Sequence, residues 1–163
     1  MTEKKVKIGV ISDTHLIDYD QKLKKIVDEH FGDVDLVIHA GDLVDRRVLD
    51  IFKGKEVKAV HGNMDYPSVK ENLPEQLLFE INGFKFGVIH GWGPSWGLEE
   101  KILEEMGSMD CIVYGHTHEP VCHIKAGVLF FNPGSPTDKR FAAFKSLGIL
   151  EIDKDVEGRI IKI

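Results

Sequence analysis

The sequence contains little cysteine, which excludes two classes of small protein. Cys111 and Cys122 are the two cysteines in 163 residues, and they form no CxxC motif. Neither a disulfide framework nor a thiolate zinc site is therefore indicated. Because both cysteines lie in apolar stretches, we expect them to be buried free thiols, as is usual in a reducing cytoplasm.

Long apolar runs and excess positive charge are also missing. No apolar run approaches the ~18 residues that span a bilayer, and the segment MTEKKVKIGVIS lacks the small-residue cleavage site of a secretory signal. Lys and Arg number 21 against 27 Asp and Glu, a net charge of −6, whereas a surface that binds nucleic acid is normally basic. We therefore expect a cytoplasmic protein with no membrane or nucleic-acid partner. Association into a homo-oligomer stays open.

The first two thirds of the chain alternate between short β-branched runs and amphipathic stretches. The runs at residues 6–11, 36–40 and 57–60 predict strands, and the stretches at 21–31 and 45–53 predict helices. This β-α-β-α-β order favours a parallel sheet with helices on its faces.

The rest of the chain predicts mostly antiparallel structure. Residues 77–81 and 85–89 flank Asn82-Gly83, a dipeptide typical of tight hairpins. A helix is predicted at 98–106, and further strands are predicted at 111–114, 121–125, 128–131, 142–152 and 156–163. Without repeats or linker-like segments, residues 1–163 are predicted to form a single domain in which two packed sheets have helices outside.

Five of the predicted strands end in residues suited to metal binding or catalysis. The segments are Ser12-Asp13-Thr14-His15, His39-Ala40-Gly41-Asp42, His61-Gly62-Asn63-Met64-Asp65, Ile89-His90-Gly91 and Gly115-His116-Thr117-His118. One such Asp or Asn is typical of an ordinary turn, but turns do not require His. Because ligands bind at the carboxyl ends of strands in open α/β folds, the five segments predict one polar cup.

Seven side chains of this cup are candidate metal ligands: Asp13, His15, Asp42, Asn63, His90, His116 and His118. A mixed His, Asp and Asn set without Cys suits Mn²⁺, Fe²⁺, Ni²⁺ or Zn²⁺. Seven ligands are too many for one ion but reasonable for two ions that share a carboxylate. Paired ions roughly 3.5–4 Å apart activate a water molecule and bind the oxygens of a phosphoryl group during in-line displacement.

In these motifs the sequence resembles the calcineurin-like metallophosphoesterases. The motifs Asp13-x-His15, Gly41-Asp42, Gly62-Asn63, His90-Gly91 and Gly115-His116-x-His118 occur in the family's order. The later segment Asn132-Pro133-Gly134-Ser135 is similar to one in the family's small prokaryotic phosphodiesterases. The resemblance implies an α/β fold, a four-layer αββα sandwich of two mixed β-sheets flanked by helices.

The resemblance also implies a dinuclear metal site. One ion would be held by Asp13, His15, Asp42 and His118, and the other by Asp42, Asn63, His90 and His116, with Asp42 bridging. A metal-bridging hydroxide would be the nucleophile, which makes Asp42, Asn63 and His90 the predicted catalytic residues. We expect two divalent ions as cofactors, with Mn²⁺ first and Ni²⁺, Zn²⁺ and Fe²⁺ as alternatives.

Met64 departs from the family pattern. Many members have a His directly after Gly-Asn, where it stabilises the transition state or protonates the leaving group, and Met can do neither. We therefore expect modest activity, best on substrates whose leaving group needs little proton assistance. His39, His61 and Asp65 are expected to support the ligands by hydrogen bonds. The alternatives are buried neutral rings satisfied by backbone for the two His and a turn for Asp65.

The resemblance implies that the substrate is a small phosphodiester. The same seven ligands would also serve a phosphomonoesterase acting on nucleotides or other small phosphorylated compounds. The fold is used in addition as a non-catalytic protein scaffold in a eukaryotic membrane-coat complex. Trp92 and Trp96 either form one wall of a substrate pocket, pack inward or make a subunit contact. Arg140 either binds a phosphate or lies in a rigid turn.

Overall fold

The structure is a computed structural model that describes residues 3–138 and 140–163, and its first sheet contains the predicted parallel strands. The strands of this sheet are β1 (Val6–Ile11), β2 (Leu36–His39), β3 (Glu56–Ala59), β9 (Ser146–Ile152) and β10 (Val156–Lys162). Their order is β10-β9-β1-β2-β3. The pairs β1–β2 and β2–β3 are parallel, whereas β9 is antiparallel to both β1 and β10.

The second sheet is also mixed and also has five strands. They are β4 (Gln76–Ile81), β5 (Phe84–Ile89), β6 (Cys111–Val113), β7 (Val121–Lys125) and β8 (Val128–Asn132), in the order β4-β5-β6-β8-β7. The outer pairs are antiparallel and the inner pairs parallel. At the predicted β4–β5 turn, Asn82 and Gly83 have φ values of 51° and 80°. Positive φ at both central residues is what such a tight hairpin turn requires.

Alternate residues of the central strands contribute to different hydrophobic clusters. In β1, Ile8 and Val10 belong to the cluster between the two sheets, together with Val113 and Phe131 of the second sheet. Ile11 belongs instead to the cluster on the outer face of the first sheet. Because successive side chains of a strand point to opposite faces, a strand buried on both faces has the continuous apolar run seen in the sequence.

Helices cover the outer face of each sheet. Helix α1 (Gln21–Phe31) and a 3₁₀ helix (Arg46–Phe52) pack on the first sheet, and α3 (Leu98–Met106) packs on the second. The ring of Phe31 lies over Gly9 of β1, where a β-carbon would be only 2.7 Å from the ring. Two sheets between two helical layers confirm the predicted four-layer αββα sandwich.

Three elements differ from the sequence prediction. The helix predicted at 45–53 is a 3₁₀ helix, and the short helix α2 (Pro67–Lys70) was not predicted because four residues cannot show helical periodicity. The strand predicted from residue 142 begins only at Ser146, which pairs with Lys162 at the end of β10. Residues 142–145 are irregular and belong to the loop between β8 and β9.

The cysteine prediction is half right. Both thiols are free, and Cys111 is buried in β6, where burial raises its pKa. Cys122 is exposed because it lies in β7, an edge strand whose middle residues face solvent. Across residues 3–138 and 140–163, no helix has the length and apolarity needed to cross a membrane.

Candidate metal centre

Five of the seven predicted ligands meet in one cluster. Asp13, His15 and His118 form one group that could hold a metal ion, and Asp13, Asp42 and His90 form another; in each group the ligand atoms lie within 4.8 Å of one another. Both carboxylates contact both groups. Asp13 Oδ1 is 3.3 Å from His118 Nε2 and 3.8 Å from His90 Nε2. Asp42 Oδ2 is 3.2 Å from His90 Nε2 and 3.7 Å from His15 Nε2.

The ligands lie in loops with unusual backbone conformations. Left-handed φ values occur at Asp13 (55°), His15 (47°), Asp42 (55°), His116 (73°) and His118 (61°). A non-glycine residue in this region costs on the order of 1–3 kcal/mol and persists only where its surroundings hold it. The loops after β1 and β2 hold each other, because the Asp13 and His15 amides donate to the carbonyls of Gly41 and Asp42 at 2.9 and 3.0 Å.

Glycines beside the ligands allow these loops to approach one another. A β-carbon on Gly62 would lie 2.2 Å from Asp42 Oδ1, and one on Gly115 would lie 2.6 Å from Asp13 Oδ2. Real β-carbons do not approach this closely, so a side chain at either position would displace a carboxylate. The glycines of the Gly62-Asn63 and Gly115-His116 motifs are thus required by packing against the ligands.

Each carboxylate is oriented by bonds to one of its two oxygens. Asp13 Oδ2 accepts from Ser12 Oγ at 2.6 Å and from the His116 amide at 3.0 Å. Asp42 Oδ1 accepts from the Met64 amide at 2.9 Å. The other oxygen of each faces the cluster, and Asp13 Oδ1 is buried with no hydrogen-bond partner among the residues described.

Two of the imidazoles are oriented in the same way. His90 Nδ1 donates to the Ala40 carbonyl at 2.8 Å. This leaves Nε2 facing the cluster, buried and likewise without a partner in the described part of the chain. His118 Nδ1 is hydrogen-bonded to the carboxylate of Asp138, and its Nε2 lies 3.0 Å from His15 Nε2. Metal-binding histidines typically have one ring nitrogen held by a carbonyl or carboxylate.

The electrostatics of the cluster favour charged carboxylates. Burial alone would raise the pKa of Asp13, but the imidazoles of His118 and His15, whose Nε2 atoms lie 3.3 and 3.6 Å from Asp13 Oδ1, hold it below the ordinary value. Burial of Asp42 is likewise outweighed by its contact with His90, which lowers the pKa. The Asp13 carboxylate 3.3 Å away, with a further contribution from Asp138, raises the pKa of His118 to about 9.

These residues fit divalent metal ions. Buried polar atoms are nearly always hydrogen-bonded or otherwise satisfied, yet Asp13 Oδ1 and His90 Nε2 have no such partner among the described residues and point into the same cluster. A carboxylate and imidazole donor set suits borderline-hard divalent ions.

The remaining two predicted ligands, Asn63 and His116, line a cavity that opens above the cluster. The side chain of Asn63 is exposed. His116 Nε2 donates to the Gly93 carbonyl at 2.7 Å, and the ring centroid of His116 lies 5.3 Å from that of His90. His116 is therefore a neighbour of the two ligand groups and not a member of either, whereas Asn63 is placed near them by its position in the cavity lining.

Of the residues predicted to support the ligands, His39 contacts the loops and not the ligand side chains. It is fully buried; its Nε2 lies 3.1 Å from Thr14 Oγ1, and its Nδ1 accepts from the Gly41 amide at 3.2 Å. Burial lowers the pKa of His39 to about 4, so the ring is neutral at pH 7. His61 is half-buried, and within the described residues its Nδ1 has no hydrogen-bond partner.

Asp65 joins the loops that follow β2 and β3. Its buried carboxylate accepts from the amides of Asp42, Val44 and Gly62 at 3.1, 2.5 and 2.7 Å. Val44 has a φ of 81°, which is rare for a β-branched residue, so this hydrogen bond holds a strained backbone next to Asp42. Burial raises the pKa of Asp65.

The segment after β8 contains contacts that the sequence did not reveal. Ser135 Oγ donates to the Asp13 carbonyl at 2.7 Å, and Thr137 Oγ1 donates to the Thr14 carbonyl at 2.8 Å. Asp138, two residues before Arg140, orients His118. The available signal was the Ser, Thr and Asp run that follows Asn132-Pro133-Gly134, but no strand precedes Asp138 directly to mark it.

A cavity of about 800 Å³ opens above the cluster. Its lining includes Leu16, Met64, Arg140 and Phe141 in addition to predicted ligands. Trp92 and Trp96 do not line this cavity; they border two smaller ones beside it. They are 42% and 79% exposed, so the inward-packing alternative for the two tryptophans is wrong.

Known proteins resemble this chain both in sequence and in fold. A family model described as the calcineurin-like phosphoesterase superfamily domain matches residues 6–155. A probable metallophosphoesterase of Methanocaldococcus jannaschii is 42% identical over 160 residues, covering 96% of this chain and 81% of that protein. A phosphodiesterase of the same organism is 34% identical over 167 residues, covering 91% and 95%. The structure of vacuolar protein sorting 29 from Cryptosporidium parvum shares the fold, with a TM-score of 0.75, 20% identity and coverage of 99% and 100%.

Proposed function

Because the chain belongs to the calcineurin-like phosphoesterase superfamily, we propose that it is a dinuclear metal-dependent phosphodiesterase that hydrolyses small phosphodiesters. The family and the relatives named metallophosphoesterase and phosphodiesterase support a phosphoester hydrolase. The observation that carries the proposal is the pair of adjoining ligand groups, which share Asp13 and which the Asp42 carboxylate also joins, 3.2 Å from His90 and 3.7 Å from His15. Two overlapping groups fit two neighbouring ions better than one.

In this proposal each ion has four ligands. The first ion is held by Asp13, His15, Asp42 and His118, and the second by Asp42, Asn63, His90 and His116. When bound, such a pair of ions supplies an activated water and positive charge for the phosphate oxygens. Mn²⁺ is the ion we propose, because the donor set suits it; Ni²⁺, Zn²⁺ and Fe²⁺ are the alternatives.

The protein's own side chains would position the substrate. Asp42 lines the cavity, and its Oδ2 lies 3.2 Å from His90 Nε2 in the cluster beneath it. Asn63 is exposed to the cavity, so its amide can donate to a phosphate oxygen. Asp42, Asn63 and His90 are therefore the proposed catalytic residues. Met64 cannot donate a proton to the leaving group, which favours substrates with good leaving groups.

The wider assignments remain proposals drawn from the sequence. A single domain over residues 1–163 agrees with the family match to residues 6–155. The free thiols are compatible with the proposed cytoplasmic location. The acidic composition supports a small-molecule substrate and not a nucleic acid.

The experiment that tests this function is reconstitution of metal-free protein with Mn²⁺, Ni²⁺, Zn²⁺ or Mg²⁺. Hydrolysis of bis(p-nitrophenyl) phosphate and of p-nitrophenyl phosphate is then compared at one fixed pH. We expect the diester to be hydrolysed with the higher kcat/KM. Faster hydrolysis of the monoester would instead support a phosphomonoesterase acting through the same seven ligands.

A non-catalytic scaffold is the second candidate. The likeness to vacuolar protein sorting 29 shows a shared fold, and the exposed Trp92 and Trp96 offer apolar surface outside the main cavity. This candidate would be supported if protein loaded with each of the four ions hydrolysed neither ester while this tryptophan surface bound a partner protein.

A further inference from the structure

The cavity above the proposed metal ligands is much larger than a phosphate group. Its volume of about 800 Å³ lies within the ~300–1,000 Å³ typical of pockets that enclose a whole small molecule. Its lining includes three apolar side chains, Leu16, Met64 and Phe141. A substrate bound there would therefore place more than its phosphate in contact with the protein.

Met64 lies beside Asp42. Its backbone amide donates to Asp42 Oδ1 at 2.9 Å, which fixes the residue next to the cluster. Its side chain lines the cavity and is 57% exposed. The exposed thioether therefore offers apolar surface to a substrate whose phosphate lies at the metal-binding cluster.

Phe141 lies on the His118 side of the cluster. The centroid of its ring is 5.9 Å from that of His118, with the two rings at 74°. The side chain is 70% exposed and lines the same cavity. The guanidinium of Arg140 lies 5.5 Å from the centre of the Phe141 ring, so the wall presents a cation as well as an aromatic surface.

We propose that Met64 and Phe141 form a subsite for a planar aromatic substituent of the phosphodiester. An aromatic group is favoured over an alkyl group because each partner interacts with rings specifically. Phenylalanine stacks on or meets a second ring edge to face, a thioether contacts ring edges, and a guanidinium binds over a ring face. The proposal rests on the proposed function, because that function places the phosphate at the ligand groups. Aryl esters and nucleoside esters share this chemistry.

The subsite is tested with two anions that contain no ester bond to hydrolyse. Diphenylphosphinate and dimethylphosphinate carry the same charged group and differ in their rings. Their affinities for the Mn²⁺-loaded protein are measured by isothermal titration calorimetry. We expect diphenylphosphinate to bind about tenfold more tightly. Phe141→Ala and Met64→Ala should each reduce this preference several-fold, with the affinity for dimethylphosphinate unchanged.

Matched variants separate the subsite from general apolar binding. Ile124→Ala removes a similarly exposed apolar side chain (75% exposed) from β7, outside the cavity lining, and should keep the full preference. Phe141→Trp should also keep it. To distinguish aryl esters from nucleoside esters as the substrate class, a phenyl phosphonate and a 5′-nucleoside phosphonate are compared in the same assay. Equal binding of both supports a general aromatic subsite, whereas binding of the phenyl compound alone restricts the subsite to simple aryl esters.

The subsite and the proposed function can fail separately. Equal affinity for the two phosphinates, no binding of either, or an undiminished preference in the Phe141→Ala, Met64→Ala double variant would overturn the subsite. Hydrolysis of bis(p-nitrophenyl) phosphate by the same wild-type preparation reports on the function. If the enzyme is active and the subsite is real, Phe141→Ala should raise KM for this diester and leave kcat nearly unchanged.

Discussion

The two halves of the candidate metal centre differ in how completely the structure assembles them. In the first half, Asp13, His15 and His118 already place their ligand atoms within 4.8 Å of one another, and Asp138 fixes the His118 ring. In the second half, Asp42 and His90 are buried and in contact. Asn63 of that half is exposed, and His116 donates to the Gly93 carbonyl.

The metal-binding side chains of the first half are thus more preorganised than those of the second. A site whose ligands are already held in place loses less free energy on ordering when it binds. His116 would have to exchange its hydrogen bond to Gly93 for a metal ion, whereas His118 already presents Nε2 to the cluster. We therefore expect the first half to bind its ion more tightly than the second.

Asp42→Ala is expected to have the largest effect, because this carboxylate contacts histidines of both halves. Both ions should be lost together, and kcat/KM for bis(p-nitrophenyl) phosphate should fall by at least about 100-fold. Metal content by mass spectrometry and steady-state kinetics check this. Asp28→Ala, which removes an exposed carboxylate from α1, serves as the control. Full activity in Asp42→Ala would show that the bridging assignment is wrong.

His15→Ala and His116→Ala separate the two halves. His15→Ala should weaken the tighter ion by about 10- to 100-fold, and His116→Ala should weaken only the looser one. Calorimetric titration of metal-free protein with Mn²⁺ measures both affinities. Equal loss of both ions in either variant would mean that the two halves do not bind independently.

Asp138→Asn is a smaller test of the first half. The amide keeps the size of the side chain but removes the charge that faces His118 Nδ1. Affinity for the tighter ion should fall by about tenfold, as is typical when the hydrogen-bond partner of a metal-binding histidine is changed. The looser ion should be unaffected. An unchanged titration curve would show that Asp138 does not support metal binding by His118.

Met64→His is expected to have the smallest effect, and in the opposite direction. A histidine in this position, next to the exposed Asn63 of the second half, could donate a proton to the leaving group. The kcat for a diester with a poor leaving group, such as diphenyl phosphate, should rise several-fold. The kcat for bis(p-nitrophenyl) phosphate should change little. A uniform loss with both substrates would show that no proton donor is missing at residue 64.

The sequence predicted the elements that build the centre because its chemistry lies at strand ends. Strands β1, β2, β5 and β6 are mostly apolar, whereas β3 alternates charged and apolar residues. Each is followed by residues that the structure brings to the cluster or to the cavity above it. Because β1, β2 and β3 are parallel, strand direction carries the residues after them to one edge of the first sheet. The residues after the parallel strands β5 and β6 of the second sheet join them because the two sheets pack together. The hairpin at Asn82-Gly83 was predictable for a similarly local reason.

Features that depend on tertiary contacts were not predictable. Asp138 contacts His118 across 20 residues from an irregular loop, and the strain at Val44 is supported by a carboxylate 21 residues away. The hydrogen bond from His116 to Gly93 depends on the path of the loop after β5. Cys122 was misassigned because an apolar neighbourhood in sequence does not distinguish an edge strand from a central one.

Titration of the metal-free protein with Mn²⁺ is the measurement that tests the dinuclear site most directly. We predict a saturation stoichiometry of two ions per chain, reached in two steps of unequal affinity, with the tighter step weakened in His15→Ala. Saturation at a single ion per chain would contradict it.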